Sequence, residues 1–280
     1  MRCLIIGGSG RIGSQLITAC SERRWPHLST YYRNTDNTME PLDVRDADAV
    51  RELIADYQPE ITFFTAPPSA GIAAVAEAIA EIGGTLAMIS GDSLFGDCKF
   101  AMREDDTLAP MGTQAEAEAS AEELLRALLP NQHLILRTSQ IFGDGKPGDP
   151  SLDVVRVLRK RKDYPASQAI TRMPTFAADF AEAALELAQH QQSGTFHVVG
   201  PDRHTEFTFA RMVAHLHGLD ADLIQPTDDL ATTAANRVFL DRHKVRMLLG
   251  ANAIRPLAEG LRAAKARRIP AAPVRVLQAA

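Results

Sequence analysis

The residue types best suited to hold a phosphate lie almost at the start of the chain. Gly7-Gly8-Ser9-Gly10-Arg11-Ile12-Gly13 sets glycines at G-x-x-G-x-x-G spacing. Glycines so spaced let the chain turn sharply, approach a diphosphate closely and pack a helix against a strand. The first N–H groups of that helix then face the anion. Gly7, Ser9, Gly10, Arg11 and Ile12 are therefore the expected cofactor contacts. Glycines also mark ordinary turns, so context decides. Here the loop follows the apolar stretch CLII and opens an amphipathic segment, as a dinucleotide site requires. A second strand ends at Tyr31-Tyr32-Arg33-Asn34. An acidic residue there would receive the adenosine ribose hydroxyls and favour NAD. Arg33 instead suits a 2′-phosphate, so NADP is the expected cofactor, with NAD as the alternative.

These residues need a sheet to hold them. Apolar strands are expected at residues 2–6, 27–32, 61–65, 85–89 and 133–137, and helices at 12–23, 46–57, 71–82 and 115–129. Strands separated by helices of this length imply an α/β fold, a Rossmann-type doubly wound parallel sheet. Beyond Phe142 the pattern is less regular: a basic helix over 151–162, a helix over 177–190 and a strand over 195–199. This predicts a smaller C-terminal substrate lobe threaded into the end of the sheet. The expected division is a nucleotide-binding domain over 1–145, a lobe over 146–268 and a flexible tail over 269–280, where alanines and prolines dominate.

The formal net charge of -5 gives no basic field for nucleic acid or an anionic membrane. No apolar run reaches membrane-spanning length, and glycines interrupt the first apolar residues too soon for a secretory signal. Cys3, Cys20 and Cys98 are odd in number and far apart, which predicts free thiols and a cytoplasmic setting. His215 and His217 stand two apart on a helix and point in different directions, so no metal site is expected.

Beyond the glycine loop, short motifs in fixed order carry a family resemblance. Leu42-Asp43-Val44-Arg45-Asp46, Pro59-Glu60 with the strand to Thr65-Ala66, and Ile89-Ser90-Gly91-Asp92-Ser93-Leu94-Phe95 come first. Arg137-Thr138-Ser139-Gln140-Ile141-Phe142-Gly143, Pro174-Thr175-Phe176-Ala177-Ala178-Asp179, Phe196-His197-Val198-Val199-Gly200 and Leu240-Asp241-Arg242-His243-Lys244 follow. Together they resemble the extended short-chain dehydrogenases/reductases, and within them the dTDP-4-dehydrorhamnose reductases and their epimerase-dehydratase relatives. The resemblance runs over nearly the whole chain. It implies an NAD(P)-binding protein in which Asp43 and Val44 border the adenine. Thr65, Ala66 and Pro67 would line the fourth strand's end and Ser90 the nicotinamide side. Pro67-Pro68 stands where the family has small or polar residues.

The resemblance also exposes what is missing. The family's hydride transfer uses a tyrosine as proton donor, a lysine four residues on that lowers its pKa, and a Ser or Thr beside the carbonyl. Counted from Pro110, Gln114 stands at the tyrosine, Glu118 at the lysine and Gly91 at the hydroxyl. None of the tyrosines, at 31, 32, 57 and 164, has a lysine four residues later. Asp92, Gln114 and Glu118 are then the candidate catalytic residues, because a carboxyl in a closed pocket can serve as acid or base. The run AEAEASAEELL reads equally as a solvated face carrying Glu116, Glu118, Glu122 and Glu123. Glu116 is assigned to solvent, while both readings stand for Glu118. Gln140 and Arg172 are the candidate substrate contacts, the arginine for a phosphate or carboxylate.

Three functions follow. One is an atypical oxidoreductase or epimerase-type enzyme, or a non-redox lyase or isomerase on the same scaffold, acting on a small metabolite or sugar nucleotide through a non-standard proton donor. Another is a non-catalytic cofactor-binding regulatory subunit docked on a partner enzyme. The third keeps the fold without a nucleotide. A small-molecule substrate or effector, and a homodimer or partner enzyme, are the expected partners.

Overall fold

In the first half of the chain, apolar strands alternate with helices that each carry one apolar stripe. The structure, a computed structural model, describes residues 1–33, 38–68, 71–230 and 235–267. The first half contains β1 (Cys3–Ile6), α1 (Arg11–Glu22), β2 (His27–Tyr31), β3 (Glu40–Pro41), α2 (Ala47–Tyr57) and β4 (Ile61–Phe64). It continues with α3 (Ile72–Ile82), β5 (Thr85–Ser90), α4 (Thr113–Leu128) and β6 (His133–Arg137). The second half begins with β7 (Ile141–Phe142), α5 (Pro150–Arg159), β8 (Tyr164–Ser167), β9 (Thr171–Arg172), β10 (Thr175–Phe176) and α6 (Ala177–Gln189). After these come β11 (Gly194–His197), β12 (His204–Thr205), α7 (Glu206–His217), β13 (Ile224–Thr227), α8 (His243–Leu249) and α9 (Leu257–Arg267).

Seven strands form one sheet in the order β3-β2-β1-β4-β5-β6-β11. Every pairing in it is parallel. A parallel sheet must be covered on both faces, and its central strands β1, β4 and β6 are accordingly buried throughout. Leu16 and Ala19 of α1 pack with Phe180 and Leu187 of α6 on one face. Ile54 of α2, Val75 and Ile79 of α3 and Leu125 of α4 cover the other. A separate core of Phe142, Val154, Leu158, Phe176, Phe209, Val213 and Leu261 joins α5, α7 and α9. The fold is thus the expected Rossmann-type parallel sheet. The chain leaves β1 toward β2 on one side and meets β4 on the other, which opens a crevice at the carboxyl ends of these strands.

Several local expectations shift. The helix expected from residue 115 starts at Thr113, so Gln114 sits in its first turn. Three two-stranded sheets, β7–β10, β9–β12 and β8–β13, were not legible as strands because each is short and pairs over long sequence distances. His215 and His217 lie in the last turn of α7, and the three cysteines are free and buried. The expected tail over 269–280, and Asn34, lie outside the described residues. Among the described residues, no helix is long and apolar enough to cross a membrane, and no group of His, Cys, Asp or Glu could hold a metal ion.

Candidate functional site

The glycine loop is held by contacts that tolerate no side chain. A Cβ on Gly13 would stand 2.3 Å from the Gly7 carbonyl oxygen, and Gly7 itself has φ +87 with Thr65 Oγ1 against it. Thr65 donates its hydroxyl to the carbonyls of Ile6 and Gly7 at 2.9 and 3.0 Å. The Gly8 N–H reaches the Thr30 carbonyl at 2.8 Å, which ties the loop to β2. Gly10 is the N-cap of α1, no side chain caps this end, and the first turn carries no acidic residue. The N-terminal N–H groups therefore face the crevice without a built-in anion.

A pocket of about 390 Å³ opens beside this loop between β2 and β4, lined by Gly7, Arg33, Asp43, Val44, Ala66 and Pro67 among others. The guanidinium carbons of Arg33 and Arg45 lie 5.4 and 5.1 Å from the centre of the Tyr32 ring. Arg45 also holds both oxygens of Asp43, at 2.9 and 2.7 Å. That hydrogen-bonded pairing lowers the Asp43 carboxyl to about 2. Ala66 and Pro67 also border the middle of the groove, where Ile12, Gln114 and Glu118 line a space of about 620 Å³.

The groove ends in a cleft of about 1020 Å³, bordered by Arg11, Ser90, Gly91, Asp92, Gln114, Glu118, Gln140 and Arg172. The three replaced positions form one hydrogen-bonded unit here. The Gly91 N–H donates to Glu118 Oε2 at 2.9 Å, and the Gln114 amide donates to Glu118 Oε1 at 3.0 Å. A Cβ at position 91 would lie 2.6 Å from Glu118 Oε2, so the carboxylate occupies the space that a side chain there would need. Glu118 is buried rather than solvated. Burial pushes its carboxyl above the usual range, partly offset by the Gln114 and Gly91 hydrogen bonds. Glu116 is exposed, as expected.

Asp92 lies on the cleft wall with its carboxyl also pushed up by burial, against the opposing pull of Arg172 and a Ser139 hydrogen bond. Ser139 Oγ donates to Asp92 Oδ2 at 2.5 Å and accepts the Met173 N–H at 3.1 Å. Arg172 donates to the Thr171 and Asn236 carbonyls, which orients it along the cleft wall. Gln140 and Arg172, expected at the substrate, thus share one cleft with Asp92 and Glu118.

Ser90 borders the cleft and also takes part in a buried charge network. Its hydroxyl donates to Glu122 Oε1 at 2.8 Å, and Glu122 pairs with Arg137 at 2.6 Å and Arg126 at 2.7 Å. Glu122 and Arg137 side chains are 0% and 1% exposed. Burial pushes the Glu122 carboxyl up, but the guanidinia and the Ser90 hydroxyl outweigh it and hold it below the usual range. Reading Glu122 as part of a solvated face is therefore corrected. Its partner Arg137 ends an apolar strand, and only the tertiary fold brings the two together.

Sequence reasoning also passed over two residues beside the glycine loop. Asp144 Oδ2 accepts from Arg11 Nε and Nη2 at 2.9 and 2.7 Å. Lys146 Nζ donates to the Ser9 carbonyl at 2.6 Å. Both come from an irregular stretch without a periodic signal.

A family model for the RmlD substrate binding domain matches residues 68–258. Methionine adenosyltransferase 2 subunit beta of Pongo abelii is 24% identical over 263 residues, covering 84% of this chain and 78% of that protein. A dTDP-4-dehydrorhamnose reductase of Streptomyces griseus is 25% identical over 256 residues, covering 82% and 81%. Among solved structures, a dTDP-4-dehydrorhamnose reductase from Clostridium acetobutylicum superposes with a TM-score of 0.83 at 20% identity, covering 95% of this chain and 99% of the other. One from Bacillus anthracis, solved in complex with NADP, gives 0.83 at 21% identity, covering 95% and 98%. With its model spanning more than half of the sequence, the family is settled: the chain belongs to the RmlD substrate binding domain family.

Proposed function

We propose that the chain binds NADP(H) along the groove and acts on a small metabolite or sugar nucleotide, with Asp92 as the acid–base group in place of the absent phenol. The residues fit a dinucleotide: an uncapped helix N-terminus at Gly10, close-packed glycines and a pocket for the adenosine. Arg33 and Arg45 beside that pocket favour a 2′-phosphate and hence NADP over NAD. A reductase of similar fold was solved with NADP, and reductases of dTDP sugars are among the relatives. The bound nicotinamide would supply or accept a hydride.

The observation that carries the enzymatic reading is Asp92. Its carboxyl, pushed above the usual carboxylate range by burial, stands at the wall of the cleft, hydrogen-bonded to Ser139 and faced by Arg172. A carboxyl in that state can give a proton and take it back. Arg172 would orient a phosphate or carboxylate of the substrate, and Gln140 a hydroxyl. Glu118 holds the Gly91 backbone and the Gln114 amide, which leaves positioning as its role.

A second reading has its own observation. The Gln114–Glu118–Gly91 unit offers no phenol and no ammonium, and a relative across 84% of this chain is a subunit of methionine adenosyltransferase 2. In that reading the chain binds NADP(H) as a ligand and docks on a partner enzyme.

Titration with NADPH and NADH, followed by turnover assays on nucleotide-sugar ketones, separates the two. Tight NADPH binding with nicotinamide oxidation is expected, and Asp92→Asn is expected to lower turnover by about 100-fold or more while NADPH affinity holds. Full activity in Asp92→Asn removes its assignment. Binding without turnover, with a partner retained on purification, moves the chain to the second reading. A flat titration with both nucleotides removes both.

A further inference from the structure

We infer that Lys146 is the cationic ligand of the dinucleotide's diphosphate, delivered onto the glycine loop by a rigid strap outside the first strand–helix–strand unit. The inference rests on the NADP(H) reading above and names the group that completes its phosphate site.

Lys146 Nζ stands 2.6 Å from the Ser9 carbonyl, one residue before the uncapped start of α1. An ammonium has three donors, so this one contact leaves two for an incoming anion. The other cation at the loop, Arg11, ties its Nε and Nη2 to Asp144, whose side chain is fully buried, and its Nη2 also to the Ile141 carbonyl. Among the described residues, no carboxylate lies within ion-pairing distance of Lys146. It is a positive charge with donors to spare beside the uncapped helix end.

The strap is built to hold it there. Asp149 Oδ2 accepts the N–H groups of Gly143 and Gly145 at 3.1 and 3.0 Å. Its Oδ1 accepts the Ser151 N–H at 2.9 Å, and its own N–H donates to the Lys146 carbonyl at 3.1 Å. Asp144 Oδ1 accepts the Lys146 N–H at 2.9 Å while Oδ2 takes Arg11. Gly143, Gly145 and Gly148 have φ of +80, +79 and +86, and Gly148 and Pro150 border the main cleft. Hydrogen bonds from the backbone to the Asp144 and Asp149 carboxylates thus fix the chain on both sides of Lys146. A free surface lysine would have no such frame.

The test compares wild type with Lys146→Met and Lys146→Arg, using NADPH and adenosine 2′-monophosphate as probes. Lys146→Met is expected to weaken NADPH by about 10-fold and to flatten the salt dependence of its binding. Lys146→Arg is expected to recover most of the loss, and adenosine 2′-monophosphate, which lacks the diphosphate, to bind wild type and variants alike. Unfolding without ligand is measured alongside. Equal weakening of both probes, or lower stability with unchanged NADPH affinity and salt dependence, makes Lys146 a structural latch and overturns the inference. Wild type that fails to bind NADPH overturns the nucleotide reading itself, whereas tight wild-type binding untouched by Lys146→Met overturns only the lysine.

Discussion

At the level of single residues, Gly91 and Glu118 are one change rather than two. The carboxylate sits where a side chain at 91 would go, and the Gly91 N–H answers it. Gly91→Ser forces a contact of about 2.6 Å and should destabilise the protein by about 1–3 kcal/mol. Adding Glu118→Ala should recover part of that cost. A double-mutant cycle read by urea unfolding checks the coupling, and additive losses would contradict it. Much of this site could be read from sequence: glycine spacing marked the loop, and the missing tyrosine and lysine marked Gln114 and Glu118. The hydrogen bonds joining them could not be read, because residues 91 and 118 meet only once α4 packs under the end of β5.

Among the elements, α4 is fastened to the sheet by charge buried beneath an ordinary helix surface. Glu122 ties α4 to β6 through Arg137 and to β5 through Ser90. Truncating one partner leaves the other charged in a dry interior, so Glu122→Gln should cost about 3–5 kcal/mol. Chemical denaturation checks the size, and a loss under 1 kcal/mol would mean that Arg137 finds another acceptor. The signal was hidden for a physical reason. AEAEASAEELL has the alanine and glutamate content of a solvated helix, and Arg137 closes a strand whose other residues are His133 and the apolar Leu134, Ile135 and Leu136. Neither segment betrays its partner. The strap carrying Asp144 and Lys146 escaped notice similarly, since its order comes from the Asp144 and Asp149 carboxylates rather than from any repeat.

For the molecule as a whole, stability should depend on pH through His197. Its ring is fully buried, accompanies the Asp241 carbonyl at 3.0 Å and lies edge-on to Phe95. Burial and the Arg137 charge lower its pKa to about 4 from the ordinary 6.5. A base lowered by folding binds fewer protons in the native than in the unfolded state between those values. Its contribution is therefore intact above about pH 6.5 and lost as pH falls toward 4, roughly 2–3 kcal/mol by pH 4.5. Asp92 and Glu118, raised by folding, act in the opposite sense in acid, so the measurement is the difference between wild type and His197→Gln. The variant's stability should fall less steeply between pH 7 and 4.5; parallel curves would contradict the assignment.

The edge strand β11 and the helix α6 come from beyond residue 176, yet they close the sheet beside β6 and cover α1 near the amino terminus. A ribosome synthesising this chain therefore releases the glycine loop long before the segment that shields the helix behind it. Until His197 emerges, the nascent sheet has a bare β6 edge and α1 an uncovered apolar flank. Such surfaces invite chaperones and unwanted strand pairing. The glycine loop is written first in the sequence, and the surfaces packed around it are completed only late in synthesis.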